Sequence, residues 1–378
     1  MKILVIPDKF KGTLTASEAA EAIARGWRKV RPRDTIELLP MSDGGDGFGE
    51  AVGSLLRARV QKIRTVDAGH RKCGANWWWD PKSRTAIIES ANVIGLAKLP
   101  PGRFHPFELD TSGLGTLIRA AANKGAKRCI IGIGGSATND GGFGLARALG
   151  WNFWDRADRP IQRWTELHRL ARISPPARKR WFKELIVAVD VQNPLLGLRG
   201  ATRIYGPQKG LRAHDFPVAE KCLRRLAFVF QHSELQIPKS GKKIAAIPGA
   251  GAAGGLGFGL MAFAGARAEH GLHLFAKFAN LDKRLRAADL VITGEGSIDA
   301  STFLGKGVGE IGRRCRKWKI PCIAIAGHLA VRTRIIGIFA DTFALTDLTA
   351  VETAKMKPGV WLERLAARVA RNWQPAKA

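Results

Sequence analysis

Short β-branched runs alternate with amphipathic stretches along nearly the whole chain, and this alternation most constrains what the sequence can fold into. Ile3 to Ile6, Ile36 to Leu39, Ala86 to Ile88, Cys129 to Ile133, Leu185 to Val189, Leu290 to Thr293 and Cys322 to Ile325 read as strands. Helical spacing falls at Ser17 to Val30, behind a capping-type Ser17, and at Phe48 to Leu56, Gly115 to Asn123, Ala219 to Phe230, Gly307 to Lys317 and Leu362 to Trp373. Such a pattern predicts an α/β protein with a largely parallel sheet. A chain of 378 residues has room for about two domains.

Several strands run straight into acidic or glycine-rich loops: Pro7-Asp8, Ser42 to Gly47, Gly132 to Gly142, Asp190, and Gly294-Glu295-Gly296. Ligands of open α/β sheets sit beyond the carboxyl ends of the strands, so these loops are expected to converge on one site. The basic, Trp-rich segments at Arg57 to Arg84, Trp151 to Lys183 and Arg199 to Arg225 read as solvated elaborations of a middle domain.

Composition removes several classes. With 46% hydrophobic and 25% charged residues, collagen-like, low-complexity and disordered readings fall away. Five cysteines with no C-x-x-C pair argue against a zinc site or disulfide framework and for a reducing, cytoplasmic setting. The uncharged stretch Ile244 to Ala266 contains Pro248 and is dominated by Gly and Ala, so no membrane span is expected. Lys and Arg total 61 against 32 Asp and Glu, a net charge of +29 that attracts anions of any kind. The basic residues are spread through the chain and no nucleic-acid module is visible, which disfavours nucleic acid as the partner.

Four clusters carry chemistry. Asp8, Lys9 and Lys11, followed by Thr13 and Thr15, place two ammonium groups and two hydroxyls before a helix start, a fit for an anion; a solvated, capped loop would use the same residues. Gly132 to Gly142 adds Ser136, Thr138, Asn139 and Asp140 to glycines that admit a phosphate close to the backbone. Pro248 to Gly257 contains a formal G-x-G-x-x-G, with Glu269 as the next acid, but the approach Ala245-Ala246-Ile247-Pro248 is no clear strand, so the dinucleotide fingerprint is weak. Gly294 to Gly307 fails as a P-loop, yet Glu295 and Asp299 offer hard oxygens for Mg²⁺. Asp190, ending a strand, is a candidate general base or an Asx turn. There is no H-E-x-x-H and no nucleophile elbow.

Taken in order, Pro7 to Gly12, Asp43 to Gly47, Thr111 to Gly115, Gly132 to Gly142, Asp190 to Gly197, Gly206 to Gly210, Pro248 to Gly257 and Gly294 to Lys306 resemble the motifs of the bacterial glycerate kinase family, glycerate 2-kinase type. The resemblance implies a flavodoxin-like doubly wound parallel-sheet domain built from residues 1–66 and 288–378, with a second α/β domain inserted at 67–287. It implies ATP-dependent phosphorylation of D-glycerate, giving 2-phosphoglycerate, with Mg²⁺, by a monomer or homodimer. Carried over residue by residue, Asp190 and Lys9 are catalytic, Asp190 as base. Asp8, Lys11, Ser112 and Lys209 bind substrate. Gly134, Gly135, Ser136, Thr138, Asn139, Gly251 and Gly254 bind nucleotide, and Glu295, Asp299 and Asp43 bind the metal. The rival reading is a catalytically drifted relative that binds nucleic acid or another polyanion through its basic segments.

Overall fold

The computed structural model describes residues 1–233, 243–303, 307–330 and 337–374. Its strands, in chain order, are β1 (Lys2–Pro7), β2 (Thr35–Leu38), β3 (Arg59–Val66), β4 (Lys72–Asp80), β5 (Thr85–Glu89), β6 (Arg128–Gly132), β7 (Asn152–Trp154), β8 (Arg172–Ser174), β9 (Glu184–Val189), β10 (Arg267–His270), β11 (Leu290–Ile298), β12 (Cys322–Leu329) and β13 (Asp341–Ala344). The chain forms two compact units, Met1–Asp43 with Leu272–Ala378, and Gly44–Gly271.

In the first unit, β13-β12-β11-β1-β2 form a wholly parallel sheet. Renumbered within the unit, this is the flavodoxin-like order 2-1-3-4-5, whose reversal point lies between β1 and β11. Ile3, Val5, Leu290, Ile292, Ile323 and Ile325 alternate onto one face, against Ile23 and Trp27 of helix Ala16–Val30 and Leu362 and Leu365 of helix Pro358–Asn372. Leu4, Ile6 and Val291 point the other way and are equally buried. Both faces are therefore covered, as an all-parallel sheet requires, and each buried aliphatic side chain contributes about 1.5–3 kcal/mol of transfer free energy. The first helix is capped by Thr15, not by the expected Ser17. Thr15 Oγ1 accepts from the Glu18 amide at 3.2 Å while Glu18 accepts from the Thr15 amide at 2.8 Å. Ser17 falls inside the first helical turn, where its hydroxyl cannot act as the cap.

In the second unit the order is β10-β9-β6-β5-β4-β3, with β10, β9, β6 and β5 parallel and the β3–β4 hairpin antiparallel at the edge. The hairpin carries residues 59–66 into this unit, whereas sequence suggested a division at 66/67. Arg57 to Arg84 is thus not a solvated elaboration. Trp77 and Trp79 alternate into the core, and Trp78 lies under Gly49 and Gly53 of helix Phe48–Leu55. Trp151 and Trp164 are each 2% exposed; indoles bury too much apolar area to stay in water. Arginines dress the outer aromatics, Arg172 over Trp154 and Arg178 over Trp181. Arg199 to Arg225 contributes helix Ala201–Lys209 and most of helix Phe216–Gln231. A 3-10 turn, Ile244–Ala246, precedes the glycine run at 249–257 where a dinucleotide fingerprint needs a strand. Among the described residues no helix is long and apolar enough to cross a membrane.

Candidate functional site

At the reversal point of the first unit, β1 ends at Pro7, paired with Gly294 of β11. The Asp8 amide donates to the Gly294 carbonyl at 2.8 Å, and Asp8 Oδ1 accepts from the Lys9 amide at 2.7 Å. Burial, together with the charges of Asp43 and Glu295, pushes the Asp8 carboxyl up to about 8, against the opposing pull of Lys9. Glu295, within β11, and Asp299, just beyond its end, share Thr302. Its Oγ1 accepts from the Asp299 amide at 3.2 Å and donates to Glu295 Oε1 at 2.8 Å. Lys11 is exposed, with its backbone close beside Gly296. Asp8, Lys9, Asp43 and Asp299 are therefore loop residues at the carboxyl edge of this sheet, whereas Gly294-Glu295-Gly296, expected as a loop, is strand, because β11 goes on pairing with β12 as far as Ile298. Lys306 lies outside the described residues, and among those described no three His, Cys, Asp or Glu side chains close on a shared ion position.

The second unit gathers a different set. After β6, Ser136, Thr138 and Asn139 turn inward, exposed by 5%, 0% and 0%. Ser136 Oγ lies 2.9 Å from Thr138 Oγ1 and accepts from the Thr138 amide at 3.1 Å. Lys209, in the last turn of helix Ala201–Lys209, is buried and donates to the Thr138 carbonyl at 2.6 Å. Burial lowers its ammonium to about 7, although Asp140 favours the charged form. Gly254 makes the cradle possible: with φ 68° inside a left-handed turn from Ala253 to Gly255, it leaves room that a Cβ would fill, overlapping the Thr138 carbonyl oxygen and coming within 2.8 Å of Lys209 Nζ. Gly134, Gly135 and Gly251 are pressed against Gly45, the Asp46 carboxylate and the Pro194 carbonyl in turn.

Asp190, half-buried at the end of β9, acts on Tyr205, whose phenol is pushed up to about 12 by burial and then by Asp190; the Tyr205 hydroxyl donates to Asn193 Oδ1 at 2.6 Å. Ser112 opens helix Ser112–Asn123, its amide donating to Asp110 Oδ1 at 2.8 Å. Asp110 also meets His70 Nε2 at 3.3 Å. Burial alone would raise Asp110, but His70 and the Ser112 amide hold it below the usual carboxylate range. Tyr205, His70 and Asp110 carry no loop motif and were missed in the sequence. Asp140 was visible in its motif, but not its partners.

Fold and residues together define a two-unit α/β protein, with carboxylates at the winding reversal of one sheet and a buried cation among glycine loops in the other unit. The family model described as glycerate kinase family matches residues 3–374, and the chain belongs to that family. It is 35% identical to a glycerate kinase of Halalkalibacterium halodurans, covering 97% of each chain. It is 36% identical to a glycerate 2-kinase of Escherichia coli, covering 94% of this chain and 93% of that one. A crystal structure assigned to a glycerate kinase 2 from Salmonella typhimurium LT2 is 33% identical and superposes with a TM-score of 0.80, covering 98% of this chain and 97% of the other. The rival polyanion-binding reading gains no support from these relatives.

Proposed function

We propose that this chain transfers the γ-phosphoryl group of ATP to D-glycerate, with the 2-hydroxyl as acceptor. The observation that carries the reading is the end-to-end similarity to proteins named glycerate kinase, a glycerate 2-kinase among them. Phosphoryl transfer asks a protein for positioning, charge neutralisation and a base for the attacking hydroxyl. Lys209, Ser112, Lys9, Lys11 and Asp8 take the glycerate and phosphate contacts, and Lys209 is the most desolvated of the four cations and hydroxyls among them. Ser136, Thr138 and Asn139, with the glycines at 134, 135, 251 and 254, take the nucleotide. Asp190 accepts the proton of the 2-hydroxyl as its oxygen bonds to the γ-phosphorus and ADP leaves.

Mg²⁺ fits the donors of the first unit. Carboxylates are hard ligands, and Mg²⁺ is held by one or two of them plus phosphates and water rather than by a closed protein cage. Asp8, Asp43 and Glu295 crowd negative charge there, a burden a divalent cation relieves. One or two of Glu295, Asp299 and Asp43 would hold the ion together with phosphates and water, and it would neutralise charge on the transferring phosphates. Thr302 orients the Glu295 carboxylate through its hydroxyl and holds Asp299 by its backbone amide.

The test is ADP release with ATP and D-glycerate, with the product read by enolase in the absence of a mutase. Enolase consumes 2-phosphoglycerate only. No turnover above background with glycerate sinks the function, and turnover without an enolase signal sinks the choice of hydroxyl. Full activity in Asp190→Asn removes Asp190 as base.

A further inference from the structure

We propose that Asp140 is the positioning residue of the anion site in the second unit, fixing the Gly132–Gly142 loop to the start of helix Ser112–Asn123 and supplying the counter-charge to the Lys209 ammonium. This rests on the glycerate kinase reading of that site. Asp140 is 0% exposed and accepts four hydrogen bonds. Its Oδ2 takes the Thr111 amide at 3.0 Å, Thr111 Oγ1 at 2.8 Å and the Gly144 amide at 2.9 Å; its Oδ1 takes the Gly142 amide at 3.1 Å. Thr111 Oγ1 in turn accepts from the Leu145 amide at 2.9 Å. All four partners are donors, so both oxygens must be acceptors. An asparagine amide in the same place would turn hydrogens toward donors on one side.

The carboxylate therefore ties three elements together. Thr111 precedes Ser112, so holding its amide and hydroxyl places the helix start. Gly142 and Gly144 begin helix Phe143–Ala148, whose free amides a carboxylate satisfies. Two residues upstream, the Thr138 carbonyl receives Lys209. The charged groups around this arrangement are Lys209 itself, Asp110 with His70 behind it, and Arg147, which acts on His70. Asp110 opposes ionisation of Asp140, as burial does more strongly, and the hydrogen bonds support it; the balance leaves Asp140 at about 6. Asp140 and Lys209 are thus charged together in a band near neutrality, where the carboxylate strengthens the ammonium as an anion receptor.

The experiment measures KM and kcat for glycerate against pH, from about 6 to 9, in wild type, Asp140→Asn and Thr111→Val. Loss of the counter-charge moves the alkaline limb of glycerate KM down by about one pH unit, and raises KM about tenfold at the alkaline end by that same shift. Thr111→Val removes one donor and keeps the charge, so its limb stays with wild type. An unmoved limb in Asp140→Asn overturns the proposal, as does a limb that moves equally in Thr111→Val. Should Asp140→Asn not fold, Asp140→Glu keeps the charge and must keep the wild-type limb; a shifted limb there also overturns it. If wild type shows no turnover, the functional reading has failed and thermal unfolding without substrate decides this proposal separately. Lys209 has a folded pKa below its unfolded value, so its contribution to stability grows as pH rises from one to the other. In Asp140→Asn, or in Thr111→Val against wild type as the control, that rise begins at lower pH only where the counter-charge is lost; superimposed curves for Asp140→Asn and wild type overturn the proposal.

Discussion

The two units hold charge out of bulk water by opposite means. At the ends of β1 and β11, carboxylates crowd one another, and Asp8 responds by keeping its proton to about pH 8. In the second unit a single ammonium sits among a backbone carbonyl and left-handed glycine backbone, with one carboxylate, Asp140, acting on it from the same loop. Crowded like charges are relieved by a cation from outside, whereas a cation set in carbonyl dipoles with spare N–H donors is completed by an anion. On the proposed reading, the carboxylates of the first unit would take the metal and Lys209 a substrate anion, with Lys9 and Lys11 as further anion contacts in the first unit.

The largest expected effect tests the cation. Lys209→Met keeps the length and apolar bulk of the side chain and removes the charge. Because hydrogen bonds from charged groups contribute about 1.5–3 kcal/mol, kcat/KM for glycerate should fall about 100-fold, while the fold, relieved of a buried ammonium, unfolds at an equal or higher temperature near pH 6. A fall of less than threefold breaks the contrast.

Next comes a pair of glycines. Gly254→Ala places a methyl group on the Thr138 carbonyl and against Lys209, at φ 68°. Gly12→Ala, in the loop after β1, also meets positive φ, at 80°, but nothing lies within 4 Å of the new carbon. The conformational cost, about 1 kcal/mol, is common to both, so chemical denaturation should show Gly254→Ala to be the worse by at least another 1 kcal/mol. Equal losses would mean that the loop around Lys209 is free to rearrange.

These positions were unequally legible. Loops after strands can be read from a β-branched run followed by Gly and Asp, so Asp8 and the 132–142 loop stood out, and Glu295 stood out on the same signal although β11 runs on through it to Ile298. The winding order could not be read, because it depends on which strands pair, and β1 pairs with β11 across most of the chain. The β3–β4 hairpin was overlooked because its Arg and Lys content resembles a hydrated face, although Ala75, Trp77 and Trp79 alternate with Gly74, Asn76 and Trp78 in the two-residue period of a strand. Lys209 stood out only as part of the segment Gly206 to Gly210, and its role came from the resemblance. Nothing local marks a lysine as buried when its cradle is contributed by Thr138 and Gly254, far along the chain in both directions.

A smaller effect sets the two poles against each other in their response to pH. Asp8 has a folded pKa far above its unfolded value, so the native state holds the extra proton and stability is lost as pH rises between about 4 and 8. Lys209 has the reverse displacement, and stability is gained as pH rises from about 7 toward 10.5. In a series of thermal melts, Asp8→Asn should flatten the first slope without touching the second, and Lys209→Met should do the opposite. If Asp8→Asn leaves the slope below pH 8 intact, the crowding at the carboxylate pole is absent.

Thr302→Val should have the smallest effect and is the sharpest check on what the carboxylate pole is for. Valine preserves the shape but removes the oxygen that accepts from the Asp299 amide and donates to Glu295 Oε1. Glu295 and Asp299 keep their charges, so the attraction for a cation survives and only its direction loosens. Outer hydrogen-bond partners of metal-binding groups typically contribute about 10-fold in affinity at the lower end. The Mg²⁺ concentration for half-maximal activity should therefore rise by up to about that factor, with kcat at saturating Mg²⁺ nearly unchanged and KM for glycerate unmoved. A change in glycerate KM instead would place the organic anion beside Glu295 and Asp299, held there by a cation such as Lys9, and Thr302 would then serve glycerate rather than the metal.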